Sequence, residues 1–372
     1  MTDLARAVRD AVGAVQDPEI RRPLADLDML DDVTVEGAVA VVDVSLTVVG
    51  CPASDRIERE VRVAALGVPG VESAEVRLGV MAPERRQALA DRLRGARRKP
   101  FGADSLTRVI AVTSGKGGVG KSTVTANLAV ALAGRGLAVG VLDADVHGFS
   151  IPGLLGIAAD VEPVNLDGLI VPPVAFGVKA VSIGMFLPAD QRDGAVAWRG
   201  PMLHRTLQQF LTDVHFGDLD VLLVDTPPGT GDVAISLGQL LPGAEVLVVT
   251  TPQPAAADVA VRSGLVARRL GQRVAGVVET MAPARLPGGA VLDLFGSGGG
   301  EEVARRLSTE APVPLLASVP LSPALRLAGD EGRPVVLSAP DDDAAAALQA
   351  LAAAVASTGR GLAGRPLPVG VR

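Results

Sequence analysis

The sequence predicts an α/β protein: a mostly parallel sheet covered by helices on both faces, preceded by a small α+β domain. Three observations carry that expectation. Beyond residue 108, short apolar runs alternate with helical patterns, as strands buried on both faces of a parallel sheet require. The first of these runs leads into a glycine-rich loop that opens a helix. Residues 1–90 instead alternate between helix-like and strand-like periods.

Taken in order, residues 4–15 read as an amphipathic helix, closed by the turn-forming pair Asp17-Pro18. Residues 39–49 carry the β-branched content of the second member of a strand pair, 55–66 read as a helix and 71–78 as a strand. A basic stretch follows, with Arg92, Arg94, Arg97, Arg98 and Lys99 running into Pro100 and Gly102. It reads as a solvated helix end passing into a linker over 91–104, in preference to an anion-binding arm. The second domain is expected over 105–357, with strands at 109–113, 138–143, 221–225, 245–250, 273–279 and 314–319. The Gly- and Pro-rich tail 358–372 is expected to be disordered.

Composition removes several function classes. A net charge of -7 argues against nucleic acid and against an anionic membrane surface as partner. Aromatic residues make up 2% of the chain, with no Tyr, which leaves little for stacking bases. There is neither a signal-peptide pattern at the start nor an apolar run of about 18 residues, so the expected location is cytoplasmic. The single cysteine, Cys51, excludes an internal disulfide and any site built from several thiolates of one chain. His147, His204 and His215 lack zinc-ligand spacing.

The densest signal is the run Gly115, Lys116, Gly117, Gly118, Val119, Gly120, Lys121, Ser122, Thr123 between a strand and a helix. Glycines there let backbone N–H groups converge on phosphate oxygens, and the helix N-terminus adds a positive dipole end. Lys121 is then expected to neutralise the β- and γ-phosphates of ATP, with the Ser122 hydroxyl on Mg²⁺. The same stretch satisfies G-x-G-x-x-G through Gly115, Gly117 and Gly120, with Asp143 about 20 residues on, as a dinucleotide fold would want. That alternative needs no Lys-Ser pair and no second strand ending in a carboxylate. This chain has both, the latter at Asp225 after Val221-Leu222-Leu223-Val224.

Asp225 is accordingly a candidate Mg²⁺ ligand and catalytic group. Asp143 and Asp145 close the preceding strand, Asp143 for an outer-shell role at Mg²⁺ and Asp145 for orienting the attacking water. Gly229, four residues past Asp225, is placed to offer a backbone N–H to the γ-phosphate as a switch. Lys116 is a second lysine in a loop that needs one, so it has either a solvent role or a partner across an interface.

Lys116 and Lys121 together resemble the deviant Walker A motif of the MinD/ParA/nitrogenase-reductase superfamily. The resemblance implies a homodimer in which Lys116 reaches the partner's nucleotide, making it a catalytic candidate. DADVHGFSI at 143–151, RGPMLHRTLQQF at 199–210, DTPPGTGDVAIS at 225–236, FGSGGG at 295–300 and VPLSPALRLAGDEGRP at 319–334 resemble the Mrp/ApbC iron–sulfur cluster carrier ATPases. Asp17-Pro18-Glu19-Ile20 and Thr47-Val48-Val49-Gly50-Cys51-Pro52 resemble the small iron–sulfur-assembly domain fused ahead of such ATPases. This implies a P-loop NTPase fold, ATP turnover, and delivery of an iron–sulfur cluster to apo client proteins or exchange with assembly factors.

One departure bears on that cargo. Where cluster-carrying members have C-x-x-C, residues 281–289 read MAPARLPGG, with no cysteine. Cys51 remains, either as an iron–sulfur ligand, one per chain, or as a small apolar side chain at a strand end. The alternative function is an ATP-switched scaffold or regulator of the MinD/ParA kind that carries no cluster.

Overall fold

The computed structural model describes residues 3–48, 53–95, 101–102, 105–146, 148–187, 200–286 and 288–358. Cys51, His147, residues 96–100 and 103–104 of the expected linker, and the expected tail from 359 onward lie outside them.

The chain divides into two compact units. The first comprises Met1–Pro100 together with Asp160–Val174 and Gln209–Gly217. It holds α1 (Asp3–Gly13), β1 (Leu30–Glu36), β2 (Val39–Leu46), α2 (Ser54–Leu66), β3 (Ser73–Val80) and α3 (Pro83–Arg94). The α1 helix forms because Ala5, Val8 and Val12 recur at helical spacing and bury one stripe. The sheet order is β1-β2-β3, with β1 antiparallel and β3 parallel to β2. Because α3 runs to Arg94, the first residues assigned to the linker are helical.

The later segment brings β6 (Val164–Leu166) and β7 (Leu169–Val171) into the same unit, after α4 (Lys121–Ala133), β4 (Arg108–Ser114), β5 (Val139–Asp143) and α5 (Ile151–Leu154) of the second. The two strands form a hairpin whose turn residues Asp167 and Gly168 sit at φ 48 and 82, the left-handed pair that tight hairpins use. Val164, Leu166, Leu169 and Val171 share one core with Val8, Val42, Ile57 and Leu89. Arg86 Nε lies 2.9 Å from Asp167 Oδ2, and the Arg94 guanidinium donates to the Asp167 carbonyl at 2.5 Å.

The second unit continues with β8 (Val174–Ala175, its first residue counted with the first unit), β9 (Val178–Ser182), α6 (Gly200–Asp213, counted with the first unit from Gln209 on), β10 (Val221–Asp225), α7 (Asp232–Leu240), β11 (Glu245–Thr250), α8 (Pro254–Arg269) and β12 (Arg273–Ala282). After these come β13 (Ala284–Arg285), β14 (Val291–Leu292), α9 (Gly299–Leu307), β15 (Leu315–Pro320), α10 (Pro323–Asp330), α11 (Val335–Ser338) and α12 (Asp343–Ser357). Its sheet has the order β15-β12-β11-β4-β10-β5-β9-β8, parallel from β15 to β9.

Both faces are covered, which explains the apolar runs. Along β4, Ile110 and Val112 enter one core with α4 and α12, while Ala111 enters the other with α8 and α9. Helix α4 is buried on nearly every side because it lies between the sheet and α12. Leu128, Leu132, Leu348 and Leu351 are fully buried there, each stabilising by about 2 kcal/mol through area removed from water. The parallel register sets Asp225 level with Val112 on one neighbour and with Asp143 on the other. The chemically interesting strand ends therefore converge at one edge of the sheet.

Candidate functional site

The loop from 115 to 120 joins β4 to α4 where only glycine fits at two points. A Cβ on Gly115 would lie 2.2 Å from the Val259 carbonyl carbon. Gly120 caps α4 with φ 77, a left-handed conformation that side chains resist. Lys121 and Ser122 then occupy the first turn of α4, where backbone N–H groups have no helical acceptor. Gly117 and Gly118 are exposed and Val119 is buried, with its carbonyl accepting from Thr280 Oγ1 at 2.6 Å.

Asp225 is the hub. It is fully buried, and every oxygen it carries is engaged. Its Oδ2 accepts from Lys121 Nζ and from Ser122 Oγ, both at 2.6 Å. Its Oδ1 accepts from Thr125 Oγ1 at 2.8 Å, and its backbone carbonyl from the Ala144 N–H at 2.9 Å. Lys121 Nζ also lies 3.2 Å from Ser122 Oγ and 3.7 Å from Asp145 Oδ2.

Asp143 sits one strand over, held by the Asp145 N–H at 3.1 Å, the Ile151 N–H at 3.3 Å and the Ser182 hydroxyl at 3.1 Å. Burial, and then the charge on Asp225, push its carboxyl up to about 8, against the opposing pull of the Asp145 N–H and Lys121. Asp145 is 7% exposed, on the loop that follows. The Gly229 N–H is committed to the Ser114 carbonyl at 2.8 Å, so a switch role requires that bond to open. Lys116 points away from this cluster: it is exposed, and its Nζ lies 3.4 Å from Gln253 Oε1.

The structure thus brings Lys121, Ser122, Asp143, Asp145 and Asp225 together and leaves Lys116 at the surface. Beside the loop lies a cavity of ≈ 350 Å³ lined by Gly120, Thr123, Val124, Met281, Leu321 and Leu325, among others. Its place against the start of α4 and its largely apolar walls suit a nucleoside. Sequence reasoning stopped at Thr123 and missed Thr125. The signal was there, since residue 125 lies four after Lys121 and so shares its helix face.

The donor set fits Mg²⁺: an alcohol oxygen and a carboxylate oxygen within 2.6 Å of each other, with a lysine at hand for phosphate. Residues 281–289 do not fit a resident iron–sulfur cluster. β13 and β14 pair antiparallel, with Ala284 opposite Leu292 and Arg285 opposite Val291, and residues 281–289 contain no cysteine. Among the described residues no cluster of three or more His, Cys, Asp or Glu side chains is placed to hold a metal ion by itself. The glycine loop at 296–300 opens α9, with Gly298 at φ 83 and the Gly300 N–H on Glu279 Oε2 at 2.7 Å. No helix among the described residues is long and apolar enough to cross a membrane.

Comparison with known proteins agrees with this geometry. Residues 105–356 match the family profile described as NUBPL iron-transfer P-loop NTPase, and residues 5–78 match one described as iron-sulfur cluster assembly protein. The chain is 52% identical to an iron-sulfur cluster carrier protein of Mycobacterium bovis, covering 98% of this chain and 96% of that one. It is 41% identical to an iron-sulfur cluster carrier protein of Synechocystis, covering 94% and 96%. Among solved structures it resembles a nucleotide-binding protein from Archaeoglobus fulgidus in complex with ADP, at 35% identity and a TM-score of 0.51, over 61% of this chain and 86% of that one. The septum site-determining protein MinD from Pyrococcus horikoshii, complexed with Mg-ADP, is 28% identical with a TM-score of 0.51, over 69% and 98%. With a phosphate loop facing two strand-end carboxylates, the profile match over residues 105–356 and 52% identity over nearly its whole length show that this chain belongs to the NUBPL iron-transfer P-loop NTPase family, the family of iron–sulfur cluster carrier proteins, with an iron–sulfur assembly domain at its N-terminal side.

Proposed function

We propose that this protein binds and hydrolyses ATP with Mg²⁺ as a homodimer and uses that cycle to carry or assemble iron–sulfur clusters for apo client proteins in the cytoplasm. The observation that carries the nucleotide half is the convergence of Lys121, Ser122 and Thr125 on Asp225 at the carboxyl edge of a parallel sheet. Identity over nearly the whole length with iron-sulfur cluster carrier proteins supports the other half.

Ser122 and Asp225 would hold Mg²⁺, which would supply positive charge to neutralise phosphate oxygens. Lys121 leaves Asp225 for the β- and γ-phosphates, and the glycines at 115, 117, 118 and 120 expose the N–H groups of the cradle. Thr123 and Val119 flank the nucleotide. Asp145, beside Lys121, orients the attacking water, while Asp143, which accepts from the Asp145 and Ile151 N–H groups and the Ser182 hydroxyl, would play an outer-shell role at Mg²⁺. Lys116, free of the local cluster and exposed, completes the partner's site. Turnover without partners is slow. Neither nucleic acid nor membrane is a partner, in keeping with the acidic charge of -7.

The cluster is cargo, and Cys51 is the one thiol this chain can offer it. A dimer then supplies two thiolates, and clients or small thiols supply the rest. The absence of cysteine from 281–289 favours a second reading, an ATP-switched scaffold or regulator that carries no cluster. Anaerobic reconstitution with iron and sulfide, counting iron per chain in wild type and in Cys51→Ser, separates the two. Iron bound by wild type and lost in the variant makes the protein a carrier through Cys51. No bound iron in wild type leaves the scaffold.

A further inference from the structure

The two oxygens of the Asp225 carboxylate have different kinds of partner. Oδ2 faces Lys121 and Ser122, groups that the ATP reading sends to phosphate and Mg²⁺. Oδ1 accepts from the Thr125 hydroxyl at 2.8 Å, on the side of the α4 helix turned into the protein. Thr125 is itself fully buried. Its hydroxyl also lies 3.0 Å from the Lys121 carbonyl one turn back. A hydroxyl has one proton, and the nearer, charged acceptor takes it, because hydrogen bonds to ionised oxygens are about twice as strong as neutral ones.

We propose that Thr125 is a positioning residue for the metal: it fixes the rotation of the Asp225 carboxylate so that Oδ2 is presented to Mg²⁺ when Lys121 turns to the phosphates. This rests on the Mg-ATP reading and adds to it a residue that touches neither nucleotide nor metal. The helix supplies the geometry. Lys121, Ser122 and Thr125 sit within one turn and the next of α4, so a single strand-end carboxylate meets all three. When Lys121 departs, Oδ2 loses one of its two donors, whereas Oδ1 keeps its own. A carboxylate held at one oxygen cannot spin, and the other oxygen stays aimed at the Ser122 hydroxyl. Without the Thr125 bond, the torsion is set only by groups that themselves rearrange, and a buried oxygen is left without its donor.

The test uses the full-length protein and a fluorescent ATP analogue, titrating Mg²⁺ at fixed nucleotide in wild type, Thr125→Val, Thr125→Ala and Thr125→Ser. The expected result is a Mg²⁺ midpoint raised about tenfold in the Val and Ala variants. In Thr125→Ser it stays near wild type, and affinity measured in excess EDTA is the same in all four. Two hydroxyl-free variants of different volume keep the test open if one of them fails to fold. A Mg²⁺ midpoint unchanged in Val and Ala, alongside a lower melting temperature, would overturn the proposal and leave Thr125 as a core hydroxyl. A wild type whose binding ignores Mg²⁺ would instead sink the Mg-ATP reading itself.

Discussion

Lys121 Nζ and Asp225 Oδ2 lie 2.6 Å apart, one 6% exposed and the other fully buried, at the junction of a phosphate loop and a strand-end carboxylate. Each neutralises the other where neither has water. The lysine therefore has a structural partner in this state, which the proposed phosphate role requires it to leave.

Replacing Lys121 with Ala is expected to abolish ATP binding and also to destabilise the protein, by about 3 kcal/mol, because Asp225 becomes a buried charge without a counterion. Calorimetric titration with Mg-ATP and a thermal melt read the two effects separately. A variant that keeps full stability would show that Asp225 is neutral or otherwise paired.

Lys116→Ala makes a contrasting pair. Its ammonium is exposed and, among the described residues, lies 3.4 Å from Gln253 Oε1, so stability is expected to change by less than about 0.5 kcal/mol. Nucleotide affinity is expected to hold while ATP-dependent dimerisation and turnover fall by tenfold or more. Light scattering with and without Mg-ATP checks this, and equal loss of affinity in the Lys116 and Lys121 variants would refute a role across the dimer.

Asp143 gives a pH dependence with a definite sign. Its carboxyl titrates near 3.8 when unfolded and is pushed up to about 8 in the fold, so the folded state holds an extra proton between those values. The stability it contributes is full below about 3.8 and is lost as pH rises through about 8. Urea unfolding in EDTA is expected to show about 2 kcal/mol less stability at pH 8 than at pH 6 from this group. Asp143→Asn should remove that slope; a slope that survives in the variant belongs to another group.

In the first unit, Leu166→Ala is expected to cost about 3 kcal/mol, since Leu166 is fully buried in the core it shares with Val42 and Leu89. Arg86→Ala is expected to cost less than about 1 kcal/mol, because both partners of the Arg86–Asp167 pair are a quarter or more exposed. Urea midpoints of the two variants decide it. A Leu166→Ala midpoint equal to that of Arg86→Ala would mean that the hairpin contributes nothing to this core.

The large sheet was legible because buried parallel strands leave apolar runs that end where a turn begins. Two of the six expected strands, β10 and β11, coincide with the observed bounds. Another, β12, runs on past its expected end at 279 to Ala282 through an irregularity in its pairing and a Met281 held at φ 54, neither of which has a signature in single-sequence periodicity. The β6–β7 hairpin escaped notice because strands of three residues are shorter than any period test, and Asp167 meets its partner Arg86 across 81 positions of chain. At the site, the strand-end aspartates and the Lys-Ser pair were readable from residue type and spacing. The commitment of the Gly229 N–H to Ser114 was not, because backbone hydrogen bonds across a loop depend on tertiary approach and not on the residues' identities.

That hairpin also dictates an order of events at the ribosome. The first unit draws its core from residues near 8, 42 and 89 and from the hairpin at 164–171, and it extends to Gly217. Its opening hundred residues are synthesised first yet must wait for more than another hundred before the last piece emerges. At ordinary elongation rates the delay is on the order of 10 s. Until residues 164–171 emerge, the core begun by residues 8–90 lacks the four side chains Val164, Leu166, Leu169 and Val171 that complete it, and residues 1–100 excised as a separate gene product would lack them permanently.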